Sequence, residues 1–120
     1  MISKQRDIDC IFCKIIAGEI PAKILYQDND AIVFPDIHPL APLHLLILPK
    51  KHIASLVELK SADLPLISKM VDTANKLAKR EGVSAKGYRL VINTGKEGGQ
   101  LVQHLHMHLI GGRPLADALG

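Results

Sequence analysis

The sequence predicts an α+β fold: a five-stranded, mainly antiparallel sheet with one long and one short helix. Three patterns carry this expectation. Short β-prone runs come in the order strand, strand, strand, helical stretch, strand, strand. The helical stretch, from about Ser61 to Arg80, has a single apolar stripe. The segment His104 to Ile110 alternates histidine with apolar residues at period two. A chain of 120 residues that is 48% hydrophobic can build one core, which must be aliphatic because aromatics make up only 3% and tryptophan is missing.

Taken in order, residues 1–9 lack periodicity and read as a flexible arm, with a single domain over 10–120. Cys10 to Ile16 suits one or two helical turns ended by Gly18. Its Cys-x-x-Cys lacks the βαβ surroundings of a redox motif, so the pair reads as two buried thiols or as two metal ligands. Ala22 to Tyr26 and Ala31 to Phe34 form a hairpin around Gln27-Asp28-Asn29-Asp30, and Asp36 follows at the strand end. Pro39 and Pro42 mark a loop before the nearly continuous apolar run Leu43 to Leu48, hence a central strand that also carries His44.

Pro49-Lys50-Lys51-His52 breaks that strand and leads to the long helix. Its stripe is Leu64, Ile67, Met70, Val71, Ala74, Leu77 and Ala78, its N-cap is Ser61 or Asp63, and Gly82 closes it. Tyr88 to Asn93 extends as a strand, Thr94 to Gly99 is a glycine-bearing turn, and Leu101 leads into the histidine strand to complete a second hairpin.

The net charge of +3 comes from basic residues scattered from Lys4 to Arg113 without aromatic interleaving, which argues against nucleic acid and for mild attraction of a small anion. No apolar run approaches the roughly 18 residues of a membrane span, so a membrane role is not expected and a cytoplasmic location is.

As a strand, His104-Leu105-His106-Met107-His108-Leu109-Ile110 puts its three imidazoles on one face and its apolar residues on the other. One ion cannot easily take all three, because His104 and His108 start about 13 Å apart at ~3.3 Å per residue while zinc holds nitrogen at about 2.0–2.1 Å. Such a row suits an extended anion, along which neighbouring rings attack, donate protons and hydrogen-bond. Backbone N–H groups of Gly98, Gly99 and Gln100, just upstream, suit phosphate oxygens.

This stretch resembles the signature of the histidine triad (HIT) nucleotide hydrolases and transferases, in its Hint-like branch. The resemblance extends over roughly residues 10–113 through Ile11-Phe12, Ile20-Pro21-Ala22-Lys23, Asp36-Ile37, Pro39, Ala41-Pro42, His44, Pro49-Lys50-Lys51-His52-Ile53, Asn93, Gly98-Gly99-Gln100 and Gly111-Gly112-Arg113. It implies a homodimer that joins two sheets and a purine nucleotide as substrate. It also implies a covalent nucleotidyl intermediate on His106, with His108, His44, Asn93 and the Gly98-Gly99-Gln100 turn at the phosphate. Asp36 would contact the ribose, and Ile11, Phe12, Ile15, Phe34 and Leu46 would line the base pocket. The implied reaction is hydrolysis of purine nucleoside phosphoramidates, with dinucleoside polyphosphate hydrolysis or nucleotide binding without turnover as alternatives. Bacterial relatives further imply a structural zinc on Cys10, Cys13, His52 and His104, with no cofactor needed for catalysis. One position departs from the pattern: where many relatives carry Ser or Thr after Gly-Gln, this chain has Leu101, which offers no proton.

Overall fold

The computed structural model describes residues 9–118; the expected arm over residues 1–8 lies outside them. Cys10, with extended backbone, caps helix α1 (Ile11–Ile16) by accepting the Cys13 N–H on its sulfur at 3.3 Å. Strands β1 (Tyr26–Gln27), β2 (Ala31–Pro35) and β3 (Leu43–Pro49) follow, then helix α2 (Leu64–Arg80) and strands β4 (Tyr88–Val91) and β5 (Met107–Gly111). The sheet has the order β1-β2-β3-β5-β4, and every neighbouring pair is antiparallel. Among the described residues no helix is long and apolar enough to cross a membrane.

The central strand β3 is buried almost throughout because the sheet is covered on both faces. Val33, Leu45, Ile47, Leu105, Met107 and Leu109 pack with Met70, Ala74, Leu77 and Ala78 of α2. The alternate residues Ile32, Phe34, Leu46 and Leu48 pack instead with Cys10, Phe12 and Cys13 around α1. Two-sided burial is why β3 reads as an unbroken apolar run. The histidine face is therefore not open to water, as a strand with one core face would be; α1 covers it.

Several boundaries differ from the sequence expectation. Ala22 to Leu25 is not strand, although the Leu25 N–H reaches the Val33 carbonyl at 2.9 Å. Residues 61–63 form a 3-10 turn, and α2 starts at Leu64 with Pro65 in its first turn, where a missing N–H costs nothing. Neither Ser61 nor Asp63 caps the helix through its side chain: the buried Asp63 carboxylate accepts the Lys60 N–H at 3.1 Å and the Lys51 ammonium at 2.7 Å, closing the preceding loop. Leu64 and Val71, assigned to the buried stripe, are exposed at 55% and 37%. β4 and β5 pair antiparallel as the second expected hairpin, but a long connection over residues 92–106 joins them. β5 begins only at Met107, because His104 to His106, though on the line of the strand, leave the ladder: the Leu105 N–H donates to the Ile53 carbonyl at 2.7 Å.

Candidate active site and metal centre

The side-chain alternation survives this departure from the ladder. Leu105, Met107 and Leu109 enter the core under α2, while His104 and His106 turn to the opposite side, where the Phe12 ring stands edge-on to both, at 5.9 and 5.2 Å between ring centres. His106 is buried, and its Nδ1 lies 2.7 Å from the His104 carbonyl. A carbonyl only accepts, so Nδ1 carries the proton. The neutral ring then has its lone pair on Nε2, the form a nucleophile requires.

A second group is Asp36, His44 and His108. The Leu40 N–H donates to His44 Nδ1 at 3.0 Å, which leaves the proton of neutral His44 on Nε2. That atom is 2.8 Å from His108 Nδ1 and 3.4 Å from Asp36 Oδ2. If His44 donates to His108, the neutral His108 ring in turn carries its proton on Nε2 and can donate it outward. Burial holds His44 below the ordinary histidine range. It pushes His108 down to about 4, with His106 and His44 adding to the effect and Asp36 opposing it. Three such groups resemble a metal site. His44 cannot be a ligand there, since Nδ1 already accepts a hydrogen bond and a metal on Nε2 would demand an imidazolate. The set is built to relay hydrogen bonds.

Cys10, Cys13, His52 and His104 form a third group, in which one donor atom from each lies within 4.8 Å of all the others. His104 is fully buried, and its Nε2 donates to the Pro49 carbonyl at 2.8 Å. Its Nδ1 lone pair thus faces Cys10 Sγ at 3.4 Å, Cys13 Sγ at 3.6 Å and His52 Nδ1 at 3.2 Å, while Cys13 Sγ is 3.3 Å from His52 Nδ1. Tetrahedral zinc with ordinary bond lengths would separate such donors by about 3.3–3.8 Å, so this donor set fits the ion.

The glycine turn is held by its own polar groups. A Cβ at Gly98 would collide with the Thr94 carbonyl oxygen, and Gly99 has φ +82, so neither tolerates a side chain. Asn93 Nδ2 donates to the Gly98 carbonyl at 2.8 Å. Buried Gln100 accepts the Gly95 N–H and donates to the carbonyls of Ala54 and Val102. The N–H groups of Gly99 and Gln100 donate to Lys96 and Gly95 carbonyls. This corrects the expectation that all three backbone N–H groups face phosphate: two are engaged within the turn, and only Gly98 keeps the N–H for such a role.

Phe12, Phe34 and Leu46 share the α1-side cluster, with Phe34 and Leu46 directly paired across β2 and β3 and Ile15 packed against them. Ile11 does not join them and is 48% exposed. Asp36 extends the strand pairing through its N–H to the His44 carbonyl at 3.0 Å, and its Oδ1 accepts the His38 N–H at 2.8 Å. Leu101 is 92% exposed. The groups that sequence reading missed are the carbonyls of Pro49 and His104 and the N–H of Leu40. Backbone groups leave no residue-type signal; only Pro49, as a strand breaker, marked one of these places.

The site gathers imidazoles whose ring nitrogens are oriented by carbonyl, N–H and neighbouring ring partners, an arrangement suited to histidine chemistry on an anion. Comparison with known proteins agrees. Residues 9–116 match the family model described as "Scavenger mRNA decapping enzyme C-term binding". The purine nucleoside phosphoramidase of Escherichia coli K12 is 45% identical over 111 residues, 92% of this chain and 93% of that protein. A HIT family hydrolase of Legionella pneumophila superposes with TM-score 0.91 at 48% identity, covering 93% of this chain and 100% of that one. A zinc-bound histidine triad protein of Mycobacterium smegmatis superposes with TM-score 0.75 at 28% identity, covering 94% and 81%. The chain belongs to the histidine triad family of hydrolases.

The depressed pKa of His108 gives a pH prediction. Between the ordinary value of 6.5 and about 4 the unfolded chain takes up a proton that the folded chain refuses. Stability is therefore full above about pH 6.5 and declines as the pH falls toward about 4. Urea unfolding across this window should show a shallower decline for His108→Gln than for the wild type. Equal slopes would mean that His108 is not held neutral by the fold.

Proposed function

We propose that this chain hydrolyses purine nucleoside phosphoramidates through a nucleotidyl intermediate on His106, releasing a nucleoside monophosphate and an amine. The observation that carries the reading is the hydrogen bond from His106 Nδ1 to the His104 carbonyl, which leaves Nε2 as the attacking atom. The E. coli relative, named a purine nucleoside phosphoramidase, supports the choice of substrate.

In the first step Nε2 attacks the α-phosphorus, a P–N bond forms to His106 and the bond to the amine breaks. The amine takes its proton from water, because Leu101 has none to give. The modified ring carries positive charge, and its Nδ1–H remains on the His104 carbonyl. In the second step water attacks phosphorus, loses its proton to solvent, and His106 departs as neutral imidazole, so no acid is needed for it. His108 Nε2–H donates to a phosphoryl oxygen, with His44 behind it. The Gly98 N–H, positioned by the turn through Gly99 and Gln100 and by Asn93 on the Gly98 carbonyl, meets the same charge. Asp36 receives the ribose hydroxyls through whichever oxygen lone pairs its His38 and His44 contacts leave open. Phe12, Phe34, Leu46, Ile15 and the more exposed Ile11 border the base.

Zinc on Cys10, Cys13, His52 and His104 would be structural, tying α1 to the histidine segment; four protein ligands leave no open position for chemistry. The donor separations and the zinc-bound relative from M. smegmatis support this assignment. Two subunits would join as a homodimer, since the outer edge of β4 and the exposed Leu64 and Val71 are surfaces that pairing would cover. A cytoplasmic location is part of this proposal, since a nucleotide substrate would be met there.

Three measurements follow. His106→Ala should lower turnover of an adenosine phosphoramidate by at least about a thousandfold while nucleoside monophosphate binding persists. Retention of more than about a tenth of the activity would exclude His106 as nucleophile, and faster cleavage of a dinucleoside polyphosphate assayed alongside would overturn the substrate. Elemental analysis of tag-free protein should find about one zinc per chain and much less in Cys13→Ala; freely titratable thiols without zinc in the wild type would refute the metal site. Light scattering at micromolar concentration should give twice the 13.1 kDa chain mass, and a monomer would refute the dimer.

A further inference from the structure

Cys10 and Cys13 stand where two sulfurs can meet. Cys10 is the residue that caps α1, Cys13 lies one helical turn on, and the Cys13 N–H already points at Cys10 Sγ. Neither is joined in a disulfide. Cys10 is 9% exposed and Cys13 2%, so a small oxidant arriving from solvent meets Cys10 first.

Two contacts connect this pair to the nucleophile. Phe12 lies between the cysteines on the same turn, and its ring edge abuts His106 and His104. His104 faces both sulfurs with Nδ1, at 3.4 and 3.6 Å, and holds His106 Nδ1–H with its own carbonyl. A disulfide needs the sulfurs about 2.05 Å apart, so both must turn toward each other and away from His104 and His52. That removes the sulfur contacts of the His104 ring, in the residue whose carbonyl holds His106, and alters the turn that carries Phe12 against the His106 ring.

We infer that Cys10 and Cys13 form a reversible dithiol–disulfide pair through which peroxide-class oxidants lower the activity of His106. The Cys10 thiol attacks one peroxide oxygen, giving the sulfenic acid and one water. The Cys13 thiol then attacks the Cys10 sulfur, forming the S–S bond and releasing a second water. Two thiols lose two electrons and two protons, and hydrogen peroxide takes up both. Any zinc on these sulfurs competes with the disulfide and leaves as it closes. Cys10, Cys13 and Phe12 act here as positioning residues, and the inference rests on His106 being the nucleophile.

The test uses the protein as purified, reduced and then treated with limiting hydrogen peroxide. Intact mass and peptide mapping should find a Cys10–Cys13 disulfide, with the mass lower by two hydrogens. The kcat for a phosphoramidate should fall about tenfold or more with KM little changed, as expected for a displaced attacking group, and dithiothreitol should restore it. Long-range proton–nitrogen spectra of the histidine rings should show the His106 signals shifting in the same samples. In Cys13→Ala neither its own turnover nor its His106 signals should respond to the same treatment. The inference is overturned if no disulfide forms, if it forms with turnover and ring signals unchanged, or if Cys13→Ala loses activity in parallel. A reduced wild type that cleaves no phosphoramidate would refute the proposed function instead, and the mass and ring spectra would still decide this inference.

Discussion

The site depends on one residue used at three of its atoms. His104 gives Nε2–H to the Pro49 carbonyl, turns Nδ1 to the two cysteines and His52, and accepts His106 Nδ1–H on its carbonyl. The first contact fixes the tautomer that leaves the Nδ1 lone pair for the second, and the third fixes the tautomer that leaves the lone pair of His106 on Nε2. None of this would be available if His104 to His106 lay in the ladder, where strand neighbours would claim the backbone. The bond from the Leu105 N–H to the Ile53 carbonyl holds the segment extended without using His104's own carbonyl, which stays open to the ring two residues on.

Covering the sheet on both faces makes this possible. α2 lies over β3 and β5, and burying Leu45, Ile47, Met107 and Leu109 beneath it supplies an area-proportional driving force that needs nothing from the histidines. The other face is then free to hold polar groups in a small cluster under α1, where Phe12 and Phe34 stack edge to face at 5.7 Å. Buried imidazoles are costly unless their nitrogens are paired, and His44 and His104 each have partners on both ring nitrogens.

The sequence made the fold class, the succession of strands along the chain and the long helix legible because burial imposes periods of two and 3.6 that residue types record. His104, His106 and His108, Asp36 and His44, and the four candidate zinc donors were all legible, and the structure gathers them into adjoining groups. The rest was set by backbone partners. The start of β5 turned on an N–H reaching Ile53, the loss of a side-chain cap at Asp63 on a competing bond to Lys51, and the use of the glycine turn on its internal carbonyls. Leu64 and Val71 fit the helical stripe in spacing, yet the sheet beneath α2 does not extend far enough round the helix to cover them. Ile11 stands outside the buried α1-side cluster for a similar reason: next to Phe12 on a helix, its side chain points elsewhere and is 48% exposed.

The electrostatics of the site follow from the same burial. His44 and His108 are held neutral despite Asp36 nearby, so they offer N–H dipoles and not full charges. The nearest ion pairs to the loops, Lys51 with Asp63 and Lys69 with Asp28, tie cations to carboxylates away from the histidines. The excess charge of +3 adds a general attraction for an anion. A site of oriented neutral donors suits nucleotidyl transfer, because charge that develops in the transition state would meet donors already aligned, at no cost of reorganisation. A cluster of ammonium groups would bind the departing monophosphate more tightly without adding to that alignment, and binding shared by ground and transition states slows release without speeding chemistry.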